Sequence, residues 1–277
     1  MSKLIPMCGL PRTGSTLLVN VLGQNPKITI SPDSLLGPLL ANVQGFMGDT
    51  LNESQFKSDQ TYEMYKRFCV DGSYGWINSI SNTEFYIDKC RSWGINIDLT
   101  FNLFSNIKLI FIIRDLRGIV SSLDSICRKT LLRTSDHFYE DDFNYNENNL
   151  MENRVEKFFD EDMINKPLLS IKELFEVKGE YLDQIKFVKY EDIINNTDKV
   201  LNQIYNFLEI DRYDHDLNNI QQGFYHDCIF LPYGHHKIKS KITPKEQTFE
   251  KLSDHIQEKI INKYEWYYNH FYPEVFD

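Results

Sequence analysis

The chain has 277 residues, 42% of them hydrophobic and 25% charged, with a formal net charge of −10. This composition excludes a disordered chain, and the acidic balance excludes a general binder of nucleic acid or anionic membranes, because counterion release needs a basic surface. The length suits one α/β domain over 1–277 with a sizeable insertion, and a small anionic ligand would need a local basic pocket.

Leu4 to Cys8 reads as a short buried strand that runs into the turn Gly9-Leu-Pro-Arg-Thr-Gly-Ser-Thr16. A helix follows over Thr16 to Leu22 and is closed by Gly23 and Asn25-Pro26. Asp33 stands before a further expected helix, Leu35 to Val43. A second strand-then-helix unit begins at Lys108-Leu-Ile-Phe-Ile-Ile113, a continuous apolar run of the kind buried on both faces of a parallel sheet. It ends in Arg114-Asp115, and Leu116 to Ser125 has helical spacing through Ile119, Val120 and Leu123.

Residues 136–162 are dense in acidic, Asn and aromatic residues and read as an insertion, either a solvated surface segment or a lid over the site. The third unit is the alternating strand Gln184 to Tyr190, then Glu191-Asp192 and a helix through Val200, Ile204, Phe207 and Leu208. Thr243-Pro-Lys-Glu246 has the form of a capping box, and Ile256, Ile260, Tyr264, Tyr267 and Phe271 make a helical stripe suited to core packing. Three such units predict a parallel sheet flanked by helices on both faces, with right-handed connections and ligands at the carboxyl ends of the strands.

The five cysteines, Cys8, Cys69, Cys90, Cys127 and Cys228, form no C-x-x-C pair, as expected of reduced thiols in a cytoplasm. The first residues run straight into the glycine turn, which leaves no room for a signal peptide, and no apolar run has the length of a membrane span. The sequons at Asn52 and Asn195 would matter only in a secretory compartment.

In Gly9-x4-Gly14-Ser15-Thr16 the glycine spacing lets successive backbone N–H groups converge on phosphate oxygens beside a helix N-terminus. Triphosphate-binding loops carry lysine directly after the second glycine. Here that position is Ser15, and Arg12 is the cation in the loop. A P-loop kinase-like nucleotide enzyme therefore stands as an alternative weakened by the missing lysine. A catalytically silent nucleotide-binding protein is another.

The string Gly9 to Leu18 resembles the 5′-phosphosulfate-binding loop of sulfotransferases that use 3′-phosphoadenosine 5′-phosphosulfate, and Ile113-Arg-Asp-Leu-Arg-Gly-Ile-Val-Ser-Ser122 resembles their 3′-phosphate-binding segment. The tyrosylprotein-type and bacterial branch is nearest, and the resemblance reaches to about Lys239. It implies a P-loop-like sulfotransferase fold, this donor with adenosine 3′,5′-bisphosphate as product, no metal, and a hydroxyl-bearing acceptor of unspecified class. By position, Arg12, Thr13, Gly14, Ser15 and Thr16 would hold the 5′-phosphosulfate, and Arg114 with Ser122 the 3′-phosphate. An arginine fork at a strand end suits phosphate, and a serine two helical turns on can add a hydroxyl from the same side.

Arg114 could instead pair with Asp115 or the acidic insertion. Arg117 and Arg128 are further possible phosphate contacts. Asp33 falls where that branch has its catalytic base, usually glutamate, one methylene longer; equally it could cap the helix that follows. Lys89 matches the family lysine that meets the transferring sulfuryl group, or it pairs with Asp88. Tyr190, in Lys189-Tyr-Glu-Asp192, matches the adenine-contacting tyrosine, and Lys237 or Lys239 a late loop that clamps the 3′-phosphate. His235 and His236 lack a carboxylate at metal-ligand spacing, and His137 is a reserve candidate for the base.

Overall fold

The structure, a computed structural model, describes residues 2–47, 58–130, 147–160, 162–223, 237–244, 249 and 251–276, and of 126–130, 147–150, 153, 162 and 163 the backbone alone. Its centre is a five-stranded sheet of β1 (Lys3–Gly9), β2 (Ile28–Ser31), β3 (Phe85–Lys89), β4 (Leu109–Ile113) and β5 (Ile185–Lys189). The spatial order is β2-β3-β1-β4-β5, and every neighbouring pair is parallel. The helices are α1 (Ser15–Leu22), α2 (Leu36–Met47), α3 (Asp59–Ile80), α4 (Ser92–Ile95), α5 (Ile97–Leu103), α6 (Leu116–Thr130), α7 (Glu147–Asp160), α8 (Asp162–Glu176), α9 (Tyr190–Asn195), α10 (Thr197–Leu208), α11 (Asp254–Lys263) and α12 (Glu265–Phe271).

The apolar strands explain the layering. Side chains alternate across a strand, so a run with no polar residue demands cover on both faces. Ile5 and Met7 of β1 join Ile110 and Ile112 of β4 in a core closed by Leu18, Val19 and Leu22 of α1 and Leu201, Ile204 and Leu208 of α10. Leu4 and Cys8 join Leu109, Phe111 and Ile113 on the opposite face, under Trp93, Ile171, Leu174, Ile260, Tyr267 and Tyr268. The outcome is a parallel sheet between two layers of helices, as the three strand-then-helix units predict.

Two strands, β2 and β3, add to the three expected from the sequence, and α2 runs over Leu36–Met47 rather than Leu35 to Val43. Residues 136–146 and 161 lie outside the described residues. Residues 147–160 form α7, whose Met151, Val155, Phe158 and Phe159 are buried in the core. Arg154 of α7 pairs with Asp124 of α6 at 2.8 Å, with Asp124 almost wholly buried. Thr243 and Pro244 belong to no helix, and Lys245 and Glu246 lie outside the described residues. The last helical stretch starts instead at Asp254, where the Ser253 hydroxyl accepts from the Ile256 N–H at 3.4 Å. The expected apolar stripe is buried at all five positions and is divided into α11 and α12 at Tyr264.

Candidate active site

Because all five strands run the same way, their carboxyl ends form one edge, and each end delivers a residue singled out in the sequence. Across the sheet these are Asp33 after β2, Lys89 ending β3, the glycine turn with Arg12 after β1, Arg114 after β4 and Tyr190 after β5. Neighbouring strands lie about 4.8 Å apart, so these residues span a row of nucleotide dimensions.

The turn is built by close packing. Gly9 lies so near β4 that a Cβ would come 2.5 Å from the Ile112 carbonyl oxygen. Arg12 adopts a φ of 60°, a left-handed conformation that costs a non-glycine residue about 1 kcal/mol. The Thr13 hydroxyl donates to the Leu10 carbonyl at 2.7 Å and closes the turn from inside. Gly14 has a φ of 74° and begins α1 with no side-chain cap, so the helix's first N–H groups keep the positive end of its dipole toward the turn. Ser15 and Thr16 are half-buried at that terminus.

The second motif meets the first directly. Arg114 donates through Nη1 to the Arg12 carbonyl at 2.7 Å, and Arg12 Nε donates to Ser122 Oγ at 3.1 Å. Gly118, one turn along α6, leaves room for the Arg114 guanidinium, since a Cβ there would sit 2.8 Å from its Nε. The Tyr190 ring covers the guanidinium at 4.2 Å, and the same ring occupies the space that a Gly14 Cβ would need. Burial pulls the Arg114 pKa below its ordinary value, opposed by Tyr190 and Glu191. A buried cation is costly, and an anionic ligand would relieve that cost.

Asp115 does not take Arg114 as its partner. Its carboxylate accepts from Arg117 Nε at 3.0 Å and Nη2 at 2.6 Å, and from the Tyr268 hydroxyl at 2.9 Å. Arg117 is thereby committed to Asp115 and stacks on Phe249 at 4.4 Å. The side chain of Arg128 lies outside the described residues.

At the other end of the edge, Lys89 Nζ donates to the Pro32 carbonyl at 2.8 Å, and the Ser34 N–H donates to the Lys89 carbonyl at 3.3 Å. Asp33, between Pro32 and Ser34, is exposed and follows the residue whose carbonyl takes the Lys89 ammonium; no ion pair joins it to Lys89 among the described residues. Ser34, not Asp33, caps α2: its hydroxyl accepts from the Leu36 N–H at 3.1 Å. Asp88, the sequence neighbour of Lys89, is fully buried. Its two oxygens accept from Ser34 Oγ at 2.6 Å and Trp93 Nε1 at 2.7 Å. Burial pushes its carboxyl up to about 6, against those hydrogen bonds. Asp88 ties the turn holding Asp33 to the strand holding Lys89, a function invisible until the fold pairs β2 with β3.

Lys237 and Lys239 are exposed, and among the described residues neither is bonded to the glycine turn, Arg114 or Ser122. Their segment is tied back by Ile220 N–H to Ser240 O at 2.7 Å and Ile238 N–H to Gln222 Oε1 at 3.2 Å. The neighbouring Gly223 N–H reaches Asn20 of α1 at 2.6 Å, and Asn20 in turn donates to the Thr16 carbonyl at 2.7 Å. His137, His235 and His236 lie outside the described residues. A separate cavity of about 150 Å³, lined in part by the ion-paired Asp98, Glu173 and Lys178, includes none of the strand-end residues and is smaller than ordinary ligand pockets.

No curated protein matches the chain in sequence. Among solved structures it is similar to the sulfotransferase domain from the curacin biosynthetic pathway, at a TM-score of 0.52 and 19% identity over 95% of this chain and 97% of that one. It is similar also to the sulfotransferase domain from the Synechococcus PCC 7002 olefin synthase, at 0.52 and 17% over 94% of each. At these identities the likeness is one of fold. The model of the sulfotransferase family matches residues 5–215, which takes in all five strand ends. The chain therefore belongs to the sulfotransferase family and is a transferase that moves a sulfuryl group.

Proposed function

We propose that the sulfuryl donor is 3′-phosphoadenosine 5′-phosphosulfate and that the acceptor is a hydroxyl compound. The observation that carries this reading is the direct union of two distant motifs, Arg114 Nη1 to Arg12 O and Arg12 Nε to Ser122 Oγ. One ligand bearing two anionic groups fits such a pair of linked sites better than two ligands would. In this reading the turn from Arg12 to Thr16 holds the 5′-phosphosulfate with main-chain N–H groups and the Arg12 guanidinium. Thr13 contributes through its main chain, since its hydroxyl is engaged with Leu10. Arg114 and Ser122 take the 3′-phosphate, and Tyr190 borders the nucleoside. Lys237 or Lys239 is assigned as a clamp on the 3′-phosphate.

The transfer is an in-line displacement. The acceptor oxygen forms a bond to sulfur as the bond from sulfur to the 5′-phosphate oxygen breaks, and the acceptor proton passes to Asp33. Lys89 and Arg12 offset the charge that builds on the departing phosphate. Products are a sulfate ester and adenosine 3′,5′-bisphosphate. The Lys89 to Pro32 bond, which ties Lys89 to the segment carrying Asp33, supports their action on one reacting centre.

Calorimetric titration with adenosine 3′,5′-bisphosphate, beside ATP with Mg²⁺, tests the donor. Binding of the bisphosphate is expected, and tight binding of ATP with none of the bisphosphate would sink the reading. For the base, Asp33→Ala is expected to lower turnover by about 10²-fold or more while donor affinity stays within about twofold. Unchanged turnover would remove Asp33 from the mechanism.

A further inference from the structure

Three tyrosine hydroxyls from beyond the family-matched stretch reach the Arg114 end of the site. Tyr267 donates to the Arg114 carbonyl, Tyr268 to Asp115 Oδ1 and Tyr272 to Glu191 Oε2, each at 2.9 Å. Glu191 Oε1 in turn accepts from the Asp115 N–H at 3.3 Å. The carboxyl ends of β4 and β5 are thus bolted to one another and to α12 with the residue that follows it. Tyr267 and Tyr268 are fully buried and Tyr272 nearly so. Burial holds all three phenols well above their ordinary pKa, so they act as fixed donors. The Arg114 side chain lies within this frame, on Gly118 and under the Tyr190 ring.

We propose that Tyr267 and Tyr272 are positioning residues that aim Arg114 at the 3′-phosphate of the donor. Tyr267 fixes the backbone from which the guanidinium springs. Tyr272, through Glu191, fixes the first turn of α9, where Tyr190 stacks on that guanidinium. Neither tyrosine touches the ligand. The inference rests on the donor reading above, and it makes a helix outside the matched stretch a determinant of nucleotide preference.

The test compares adenosine 3′,5′-bisphosphate with adenosine 5′-monophosphate, which lacks the 3′-phosphate, by calorimetric titration of the full chain and of Tyr272→Phe and Tyr267→Phe. Losing one hydrogen bond in this frame is expected to weaken the bisphosphate about tenfold and leave the monophosphate within about twofold. Equal weakening of both nucleotides, or no weakening of the bisphosphate, would overturn the proposal. Thermal melts report folding; if one variant fails to fold, the other carries the comparison. Failure of both to fold would assign the tyrosines to the scaffold and also overturn it. If the unaltered chain does not prefer the bisphosphate, the donor reading fails before any variant is made.

Discussion

Asp88 stands in a strand with no exposure, and its carboxyl is raised from 3.8 to about 6 by desolvation. The native state therefore keeps this proton to higher pH than the unfolded chain does, and stability contributed at Asp88 falls as pH rises from about 4 through 6, then levels. Asp88→Asn removes that titration. Its stability relative to the parent chain is expected to be higher at pH 7 than at pH 4, a difference read from urea denaturation at the two values. A pH-independent difference would show that Asp88 does not titrate in this window. Gly14 carries a second residue-scale expectation. Alanine there would meet the Tyr190 ring at 2.8 Å and hold a φ of 74°. Gly14→Ala is expected to cost about 1–2 kcal/mol in urea denaturation from the left-handed backbone alone. It should also weaken donor binding by displacing the ring that stacks on Arg114.

Elements differ in how plainly they announce themselves. Strands β1, β4 and β5 are readable because each is an apolar or alternating run followed by a helix-forming stretch. β2 is four residues with two hydroxyls, and β3 interrupts its apolar run with Asp88, tolerated because Ser34 and Trp93 satisfy it from elements distant in sequence or in the next turn. Helix α3 buries Tyr65, Cys69, Ser73 and Ile77, a stripe too mixed in polarity to stand out, while Met64 and Phe68 face solvent. Composition likewise hid α7, since acidic and Asn residues obscure four buried apolar ones. Replacing Phe158 of α7 by alanine is expected to cost about 3–5 kcal/mol in urea denaturation. Arg154→Ala should cost roughly 3 kcal/mol by taking the guanidinium from buried Asp124. Values near zero for both would detach α7 from the core.

At the scale of the whole molecule, the site was legible where one segment carries a whole function. The glycine turn declares itself by spacing, and Arg114 with Ser122 by a helical offset of eight. Asp88, Ser34 and the tyrosines of residues 267–272 carry no motif, because their value lies in contacts made by folding. In the proposed reading a ligand along the edge meets all five strand ends and stabilises the sheet as one body. Adenosine 3′,5′-bisphosphate at about 100 times its Kd is expected to add roughly 2.7 kcal/mol and raise Tm by about 5–10 °C. An unchanged Tm at saturation would separate the nucleotide site from the sheet.

The strand order also bears on how the enzyme is made. β1 leaves the ribosome first yet sits in the middle of the sheet, and its partners β3 and β4 follow only after residue 84. The glycine turn lacks the Ile112 carbonyl that it packs against until β4 is made, and it waits longer still for the Tyr190 ring. Domains with so many distant pairings fold slowly and late. A nascent chain therefore carries its glycine turn well before the strands and the Tyr190 ring that pack against it have been made.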